Sequence, residues 1–354
     1  MSDSYPKLKV AAIQAASVFL NREATVDKAC RLIKEAGTQG ADVAAFPESF
    51  IPGHPLWYHF HPATSPLSIK LATELFKNSV EIPSPATDAL CDAAKQAGCY
   101  VVMGICERRP GTFGTMYNSQ IFIDRNGEIL GKHQKITPTV GERLVHTGGY
   151  GDTLHAYPTD FGKLSGLICG ENSNPLAMFT LIAEGTILHV ASWPNHGAAS
   201  HLSRADRATS SGRAFAMMSK AYVINVGCPV TEEMADMYAA NDDDRAFLLN
   251  PKLSGGSSII DPRSVVIAGP MGNEEGILYA DIDLENCVRE KITHDLAGHY
   301  NRADIFNLHI NRTNPSFICN GDQSTDRESE NHYSGDQSID ENLTPLFSNL
   351  ENKK

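Results

Sequence analysis

No apolar run in this chain is long enough to cross a bilayer, and no charged-then-apolar leader opens it. The expectation is a soluble cytoplasmic protein without a membrane partner. Clusters of Lys and Arg are also missing, and 30 basic residues are outnumbered by 42 acidic ones, for a net charge of −12. Such a surface repels a phosphate backbone, which excludes nucleic acid as a partner. Cysteine pairing motifs are missing too. Cys30, Cys91, Cys99, Cys106, Cys169, Cys228, Cys287 and Cys319 form no CxxC and mostly lie in apolar segments. Reduced thiols in a chain large enough to fold without disulfides are the natural reading. HPLWYHFH holds His54, His59 and His61, yet no HExxH and no thiolate cluster accompanies them. No metal is expected there, because zinc takes three or four protein ligands.

What is present is a chain of 354 residues, 42% hydrophobic, enough to bury a large core. Its composition changes at about Asn320. From there NGDQSTDRESENHYSGDQSIDENLTPLFSNLENKK is poor in core residues, repeats GDQS, and carries eight acidic against three basic residues. Five of the twelve net negative charges therefore lie in 320–354, which is expected to be a disordered acidic tail. No Pro-, Gly- or Ser-rich linker divides what precedes it, so a single domain over 1–319 is expected.

Nine β-rich runs alternate with helical patterns in that domain: KVAAIQA, ADVAAFP, YVVMGI, NSQIFI, LSGLIC, TILHVAS, YVINVG, GSSIID and ILYADI. This alternation means an α/β fold. One helix is punctuated by Ser84 as cap, Pro85 in the first turn and Gly98 as stop. Another runs from about Thr25 to Thr38 with Val26, Ala29, Ile33 and Ala36 on one face. Strands apolar on both faces beside the alternating NSQIFI suggest sheets covered by helices on one side and by another sheet on the other.

One cysteine stands apart. GLICGENSNP places Cys169 at the end of an apolar strand, with Asn174 and Pro175 suited to open a helix over Leu176 to Glu184. Backbone N–H groups at a helix start favour thiolate over thiol, which is the reason to read Cys169 as a nucleophile. The other seven cysteines read as packing. A thiol nucleophile needs a proton-transfer partner, and Glu48 in AAFPESF and Glu171 both stand at strand ends. On residues alone a surface carboxylate describes Glu48 equally well, and nothing local singles out Lys135.

Order and spacing say more. FPESFIPGHP around Glu48, KHQKITPTVGERLVH around Lys135 and CGENSNPLA at Cys169 together resemble the carbon–nitrogen hydrolase superfamily, and within it the nitrilase branch. GGSSIIDPRSVVIAGP and HYNRADIF are similar to its late strand hairpin and closing motif, so the resemblance covers nearly all that precedes the tail. It implies a four-layer α-β-β-α sandwich and hydrolysis of organic nitriles to carboxylic acid and ammonia. The implied catalytic residues are Glu48, Lys135 and Cys169, with Glu142 holding the lysine and substrate. A small nitrile and water are the implied partners, no cofactor is implied, and relatives of this kind form homo-oligomers built from dimers, including spirals. Trp57 and Tyr58 resemble the segment that shapes the entrance, Trp193 and Pro194 would flank the nucleophile, and Asn172 follows the second glutamate as in nitrilases. Three positions depart from the commonest pattern: His54 replaces a tyrosine, Gly170 a tryptophan, and Met178 a basic residue.

Rival readings are an amidase or cyanide hydratase of the same superfamily, a papain-like pair of Cys169 with His189, His196 or His201, and a non-catalytic filament subunit. The cysteine's local signature is not that of papain-like proteases. The joint presence of Glu48, Lys135 and Cys169 argues against the filament subunit.

Overall fold

The computed structural model describes residues 4–196 and 202–315. Residues 320–354, read above as a disordered tail, and His201 lie outside the described residues. The first half of the chain forms β1 (Lys7–Gln14), β2 (Val43–Ala45), β3 (Tyr100–Arg108), β4 (Met116–Ile123) and β5 (Ile129–Gln134). The second forms β6 (Tyr157–Thr159), β7 (Gly162–Ile168), β8 (Thr186–Ser192), β9 (Tyr222–Val226), β10 (Ser258–Ile260), β11 (Val266–Ala268) and β12 (Gly276–Asp283). All nine expected strands are present, joined by the short β5, β6 and β11.

Two six-stranded sheets result, ordered β12-β1-β2-β3-β4-β5 and β6-β7-β8-β9-β10-β11. Each has a parallel trio, β1-β2-β3 or β7-β8-β9, flanked by antiparallel strands. Parallel neighbours need crossovers, and helices supply them. The helices used below are α1 (Arg22–Thr38), α2 (Pro66–Asn78), α3 (Pro85–Ala97), α4 (Pro175–Ala183) and α5 (Arg204–Ser219).

Side-chain alternation assigns the layers. Even positions of β1, Leu8, Val10 and Ala12, join Val102 and Phe122 against Leu164, Leu188, Val190 and Ile224 of the other sheet. Odd positions Ala11 and Ile13 pack with Val101, Met103 and Ile121 against Val26, Ala29 and Ile33 of α1 and Leu90, Ala93 and Ala94 of α3. The far face of the second sheet, Leu167, Ala191, Val223 and Ile260, is covered by Ala177, Met178 and Leu181 of α4 and Ala208, Phe215 and Ala216 of α5. The order of layers is α-β-β-α, as expected. Met178 belongs to this core, which is the place of a methionine rather than a basic residue. No described helix is long and apolar enough to cross a membrane.

The helix punctuation holds in detail. Ser84 caps α3 and exchanges bonds with Thr87, Pro85 opens the helix, and Gly98 closes it at φ 65°. Asn174 accepts from the N–H groups of Leu176 and Ala177, and Pro175 opens α4. The other helix starts earlier than its apolar stripe, at Arg22, because Asn21 is its cap.

One glycine brings this frame to the site. A methyl group on Gly104 of β3 would lie 1.9 Å from the carbonyl oxygen of Pro47 and 2.9 Å from the nitrogen of Ser49. The turn that carries Glu48 therefore rests directly on β3. Gly104→Ala is expected to cost about 1–3 kcal/mol through overpacking and to displace Glu48. A lowered melting temperature together with reduced turnover checks this; an unchanged melting temperature refutes the contact.

Candidate active site

In both sheets the parallel strands end on the same side, and the residues singled out by motif follow those ends. Glu48 lies three residues beyond β2, Lys135 directly follows β5, Cys169 directly follows β7, and Trp193 and Pro194 follow β8. The Glu48 N–H donates to the Trp193 carbonyl at 3.2 Å, tying one sheet's strand end to the other's. Carboxyl ends of parallel strands are where open α/β sheets place their ligands.

Three of these four turns, those after β2, β5 and β7, contain a strained residue. Among the described residues six that are not glycine have positive φ, and three of them are Ser49 (49°), Val140 (49°) and Cys169 (53°). Strain of this kind, about 1–3 kcal/mol per residue, collects where the surrounding fold must aim a side chain. Cys169 turns sharply from β7 into a single 3-10 turn, Cys169–Ser173.

A charge cluster lies at the centre. The Lys135 ammonium, fully buried, donates to Glu48 Oε1 at 2.8 Å and to Glu142 Oε2 at 2.6 Å. Asn118 Nδ2, from β4, donates to Glu48 Oε1 and Glu142 Oε1, both at 2.7 Å. Glu142 also accepts from the Thr139 N–H at 2.9 Å and lies 3.3 Å from His146 Nδ1. Glu48 Oε2, in contrast, is buried and has no partner among the described residues.

The two carboxylates are thereby pushed apart. Burial raises the Glu48 carboxyl above its usual range, and Lys135 offsets this only in part. Burial also acts on Glu142, but Lys135 and His146 outweigh it and hold that carboxyl well below the usual range. For Lys135, burial favours the neutral amine, yet Glu48 and Glu142 overcome it and hold the ammonium above the ordinary lysine range. The two carboxyls are thereby separated, Glu142 held as the anion and Glu48 left the readier of the two to take up a proton.

Cys169 corrects an expectation. Burial, and then the Glu48 charge, push its thiol up to about 11, against the pull of Lys135 and Arg204. The short 3-10 turn that Cys169 opens does not provide the thiolate-favouring helix start inferred from Asn174 and Pro175, whose helix begins six residues later. Burial and the Glu48 charge together favour the thiol over the thiolate at this half-buried position.

Glu171 braces the arrangement instead of facing it. It accepts from the N–H of Ile136 at 2.7 Å and of Ile168 at 3.0 Å, and contacts His133 Nε2 at 2.9 Å. One carboxylate thus links the segment after Lys135 to the strand that ends at Cys169.

A cavity of about 130 Å³ opens on these groups, lined by Glu48, His54, Leu56, His59, Lys135, Thr139, Val140, Glu142, Cys169, Pro194, His196, Arg204 and Arg207. Of the five residues expected to bind substrate, Pro194 is among them and four are not. Trp57 is fully buried in an apolar cluster with Phe19 and Tyr238, and Tyr58 packs on Trp57 at 5.3 Å between ring centroids. Trp193 is turned into the core under α4 and α5, where its Nε1 donates to Asn225 at 3.2 Å. Asn172 donates to the carbonyls of Leu167 and Cys169, both at 3.1 Å, which pins the turn from beneath. Gly170 also stays outside the cavity and lines a separate surface depression with Thr139 and Arg143. His189, one of the alternative partners for Cys169, is engaged by Ser165 and Asn172 at 2.9 and 3.0 Å and stacked on Phe215. His196 lines the cavity, but burial drives it down to about 4, too weak a base to hold the thiol's proton.

Sequence reading missed Asn118, His54 as a cavity wall, and the pair Arg204 and Arg207. NSQIFI carried a signal for the first, since a buried strand bearing Asn118, Ser119 and Gln120 must pair them internally. Glu48, His54 and Glu142 present ligand atoms within 4.8 Å of one another. Lys135 already sits on both carboxylates and supplies the charge that a cation would bring, so the residues do not fit a metal.

The carbon–nitrogen hydrolase family model matches residues 9–291 of this chain. A protein named Nitrilase 2, from an unknown prokaryotic organism, is 39% identical over 305 residues, covering 85% of this chain and 91% of that protein. A nitrilase of Bacillus sp. (strain OxB-1) is 36% identical over 313 residues, covering 88% and 90%. In fold the chain is similar to Saccharomyces cerevisiae Nit3, a member of branch 10 of the nitrilase superfamily, with a TM-score of 0.63 at 20% identity, covering 85% of this chain and 99% of that one.

Proposed function

Since this chain belongs to the carbon–nitrogen hydrolase family, we propose that it is a nitrilase, converting organic nitriles to carboxylic acids and ammonia with Cys169 as nucleophile. The observation that carries this reading is the unpartnered Glu48 Oε2 in the same cavity as the Cys169 thiol. Glu48 Oε2 takes the thiol proton as sulfur bonds to the nitrile carbon, and the proton passes to the nitrile nitrogen to give a thioimidate. Glu48 then activates one water. Its addition gives a tetrahedral species that loses ammonia and leaves a thioester on Cys169. A second water, activated in the same way, releases the acid and restores the thiol. The Lys135 ammonium stabilises the charge that develops at each addition, and Glu142 with Asn118 holds that ammonium in place. Premature collapse of the first tetrahedral species would release an amide instead.

Ammonia release from aromatic, arylacetic, aliphatic and dinitrile substrates, with the matching amides and cyanide alongside, tests the reading. At least one nitrile is expected to turn over faster than every amide. The opposite order would make the protein an amidase, and turnover of cyanide alone, read as formamide because hydration of cyanide releases no ammonia, a cyanide hydratase. The same resemblance carries a cytoplasmic location and a homo-oligomer built from dimers. Sedimentation of the full chain tests the assembly, and a monomer at working concentration would reject it.

A further inference from the structure

Two arginines stand where the mechanism above gives them nothing to do. Arg204 and Arg207 lie in the first turn of α5 and line the cavity that holds Cys169. Arg204 is only 2% exposed. Its guanidinium lies 5.6 Å from the centre of the Trp193 ring, and its buried Nε has no hydrogen-bond partner among the described residues. Among the described residues no carboxylate forms an ion pair with either arginine, whereas most other buried or half-buried cations are paired, including Lys28, Arg108, Lys132 and Lys135. The first turn of a helix is also the end at which the backbone dipole disfavours cations. A buried guanidinium without an anion, at the wrong end of a helix, is costly unless something completes it.

Charge within the cavity points the same way. Lys135 balances one of the two carboxylates Glu48 and Glu142. The histidines on the wall are held neutral, burial driving His54 down to about 3 and His196 to about 4, and lowering His59. With Arg204 and Arg207 added, the lining carries one positive charge in excess. The protein as a whole is acidic, but that field is screened beyond about 10 Å at ordinary ionic strength, while the two guanidinia act at contact.

We propose that Arg204 and Arg207 form an anion subsite, and that the preferred substrates are aliphatic nitriles bearing a carboxylate. This rests on the nitrilase reading and narrows its substrate class. The cyano carbon meets Cys169 while the carboxylate accepts from the guanidinia, whose planar donors match it. Specificity comes from leaving those donors unsatisfied when a neutral nitrile binds.

Turnover of cyanopropanoate, its methyl ester and butyronitrile provides the test. For the wild-type protein kcat/KM for cyanopropanoate is expected to exceed that of both neutral nitriles by about tenfold or more, the discrimination of a buried charged contact. In Arg204→Gln and Arg207→Gln that ratio should fall towards one. An arginine acting on Cys169 alone would lower all three substrates together and leave the ratio unchanged, which would overturn the proposal. Butanoate should also protect wild-type Cys169 from alkylation by iodoacetamide, and butyramide should not. Absence of that protection overturns the subsite even if the variants fail to fold. Turnover of butyronitrile and the ester without preference for cyanopropanoate leaves the nitrilase reading standing and removes the subsite. Failure of every nitrile removes both.

Discussion

The Cys169→Ala protein is expected to fold, to bind nitriles and to release no ammonia from them. Among the described residues Cys169 is the only thiol lining the cavity. Cys106 and Cys228 are buried elsewhere, and burial pushes both thiols up, Cys228 to about 12. The Thr139 hydroxyl shares the cavity, but a neutral alcohol is a far weaker nucleophile than a thiol relieved of its proton. The loss should be at least about ten-thousand-fold, the scale that follows removal of a covalent nucleophile. Alanine adopts the backbone of Cys169 with the same left-handed strain, so the fold should survive. Cys169→Gly removes the strain as well, and is expected to be the more stable of the two by about 1 kcal/mol. Denaturant midpoints of the two variants check this. Ammonia release by folded Cys169→Ala would end the covalent mechanism, and a less stable glycine variant would show that the turn after β7 is not strained.

The layered fold was legible because its information is local. Apolar runs bounded by Ser84, Pro85 and Gly98, or ended by Asn174 and Pro175, mark elements whatever surrounds them. Cys169 stood out as a candidate by its place at a strand end, and Glu48 and Lys135 by motif order; the structure brings the three to one cavity. The electrostatics were not. Whether Cys169 rests as thiol or thiolate depends on burial and on Glu48, which is 121 positions earlier in the chain, and no pattern around the cysteine records that balance. The pocket walls failed for a related reason. Trp57 and Trp193 flank the right motifs, but a large ring beside a strand end turns either into the cavity or into the core, and packing against Phe19, Tyr238 or Asn225 decides which. Arg204 and Arg207 lie in a polar stretch, HLSRADRATSS, that carries no motif. Only the folded chain brings them beside Cys169.

Lys135→Met should lower turnover by about 3 kcal/mol or more, the worth of a preorganised electrostatic contact to a developing charge. The same change should also cost stability, because it leaves Glu48 and Glu142 buried together without their cation, a loss of about 3–5 kcal/mol for a broken buried pair. The pH dependence separates the two effects. Without Lys135 the pair must take up a proton to fold, so the folded-state pKa of the carboxyl that accepts it, Glu48, rises further above its unfolded value. A raised folded-state pKa adds stability at low pH, and that stability is lost as pH rises. The variant should therefore be most stable in mild acid and weaken towards neutral pH, which melting temperatures across that range will show. Glu48→Gln makes the opposite separation. A glutamine oxygen can still accept from Lys135 and Asn118, so the fold should hold, but the amide can neither take the thiol proton nor activate water. Attack is then slow and hydrolysis slower, and a thioimidate or acyl adduct should accumulate on Cys169. Intact mass after incubation with substrate should reveal that adduct in Glu48→Gln and none in Cys169→Ala. Near-normal turnover in Glu48→Gln would mean that the unpartnered oxygen beside the thiol is not the base, and near-normal turnover in Lys135→Met would mean that the buried ammonium only holds the carboxylates together.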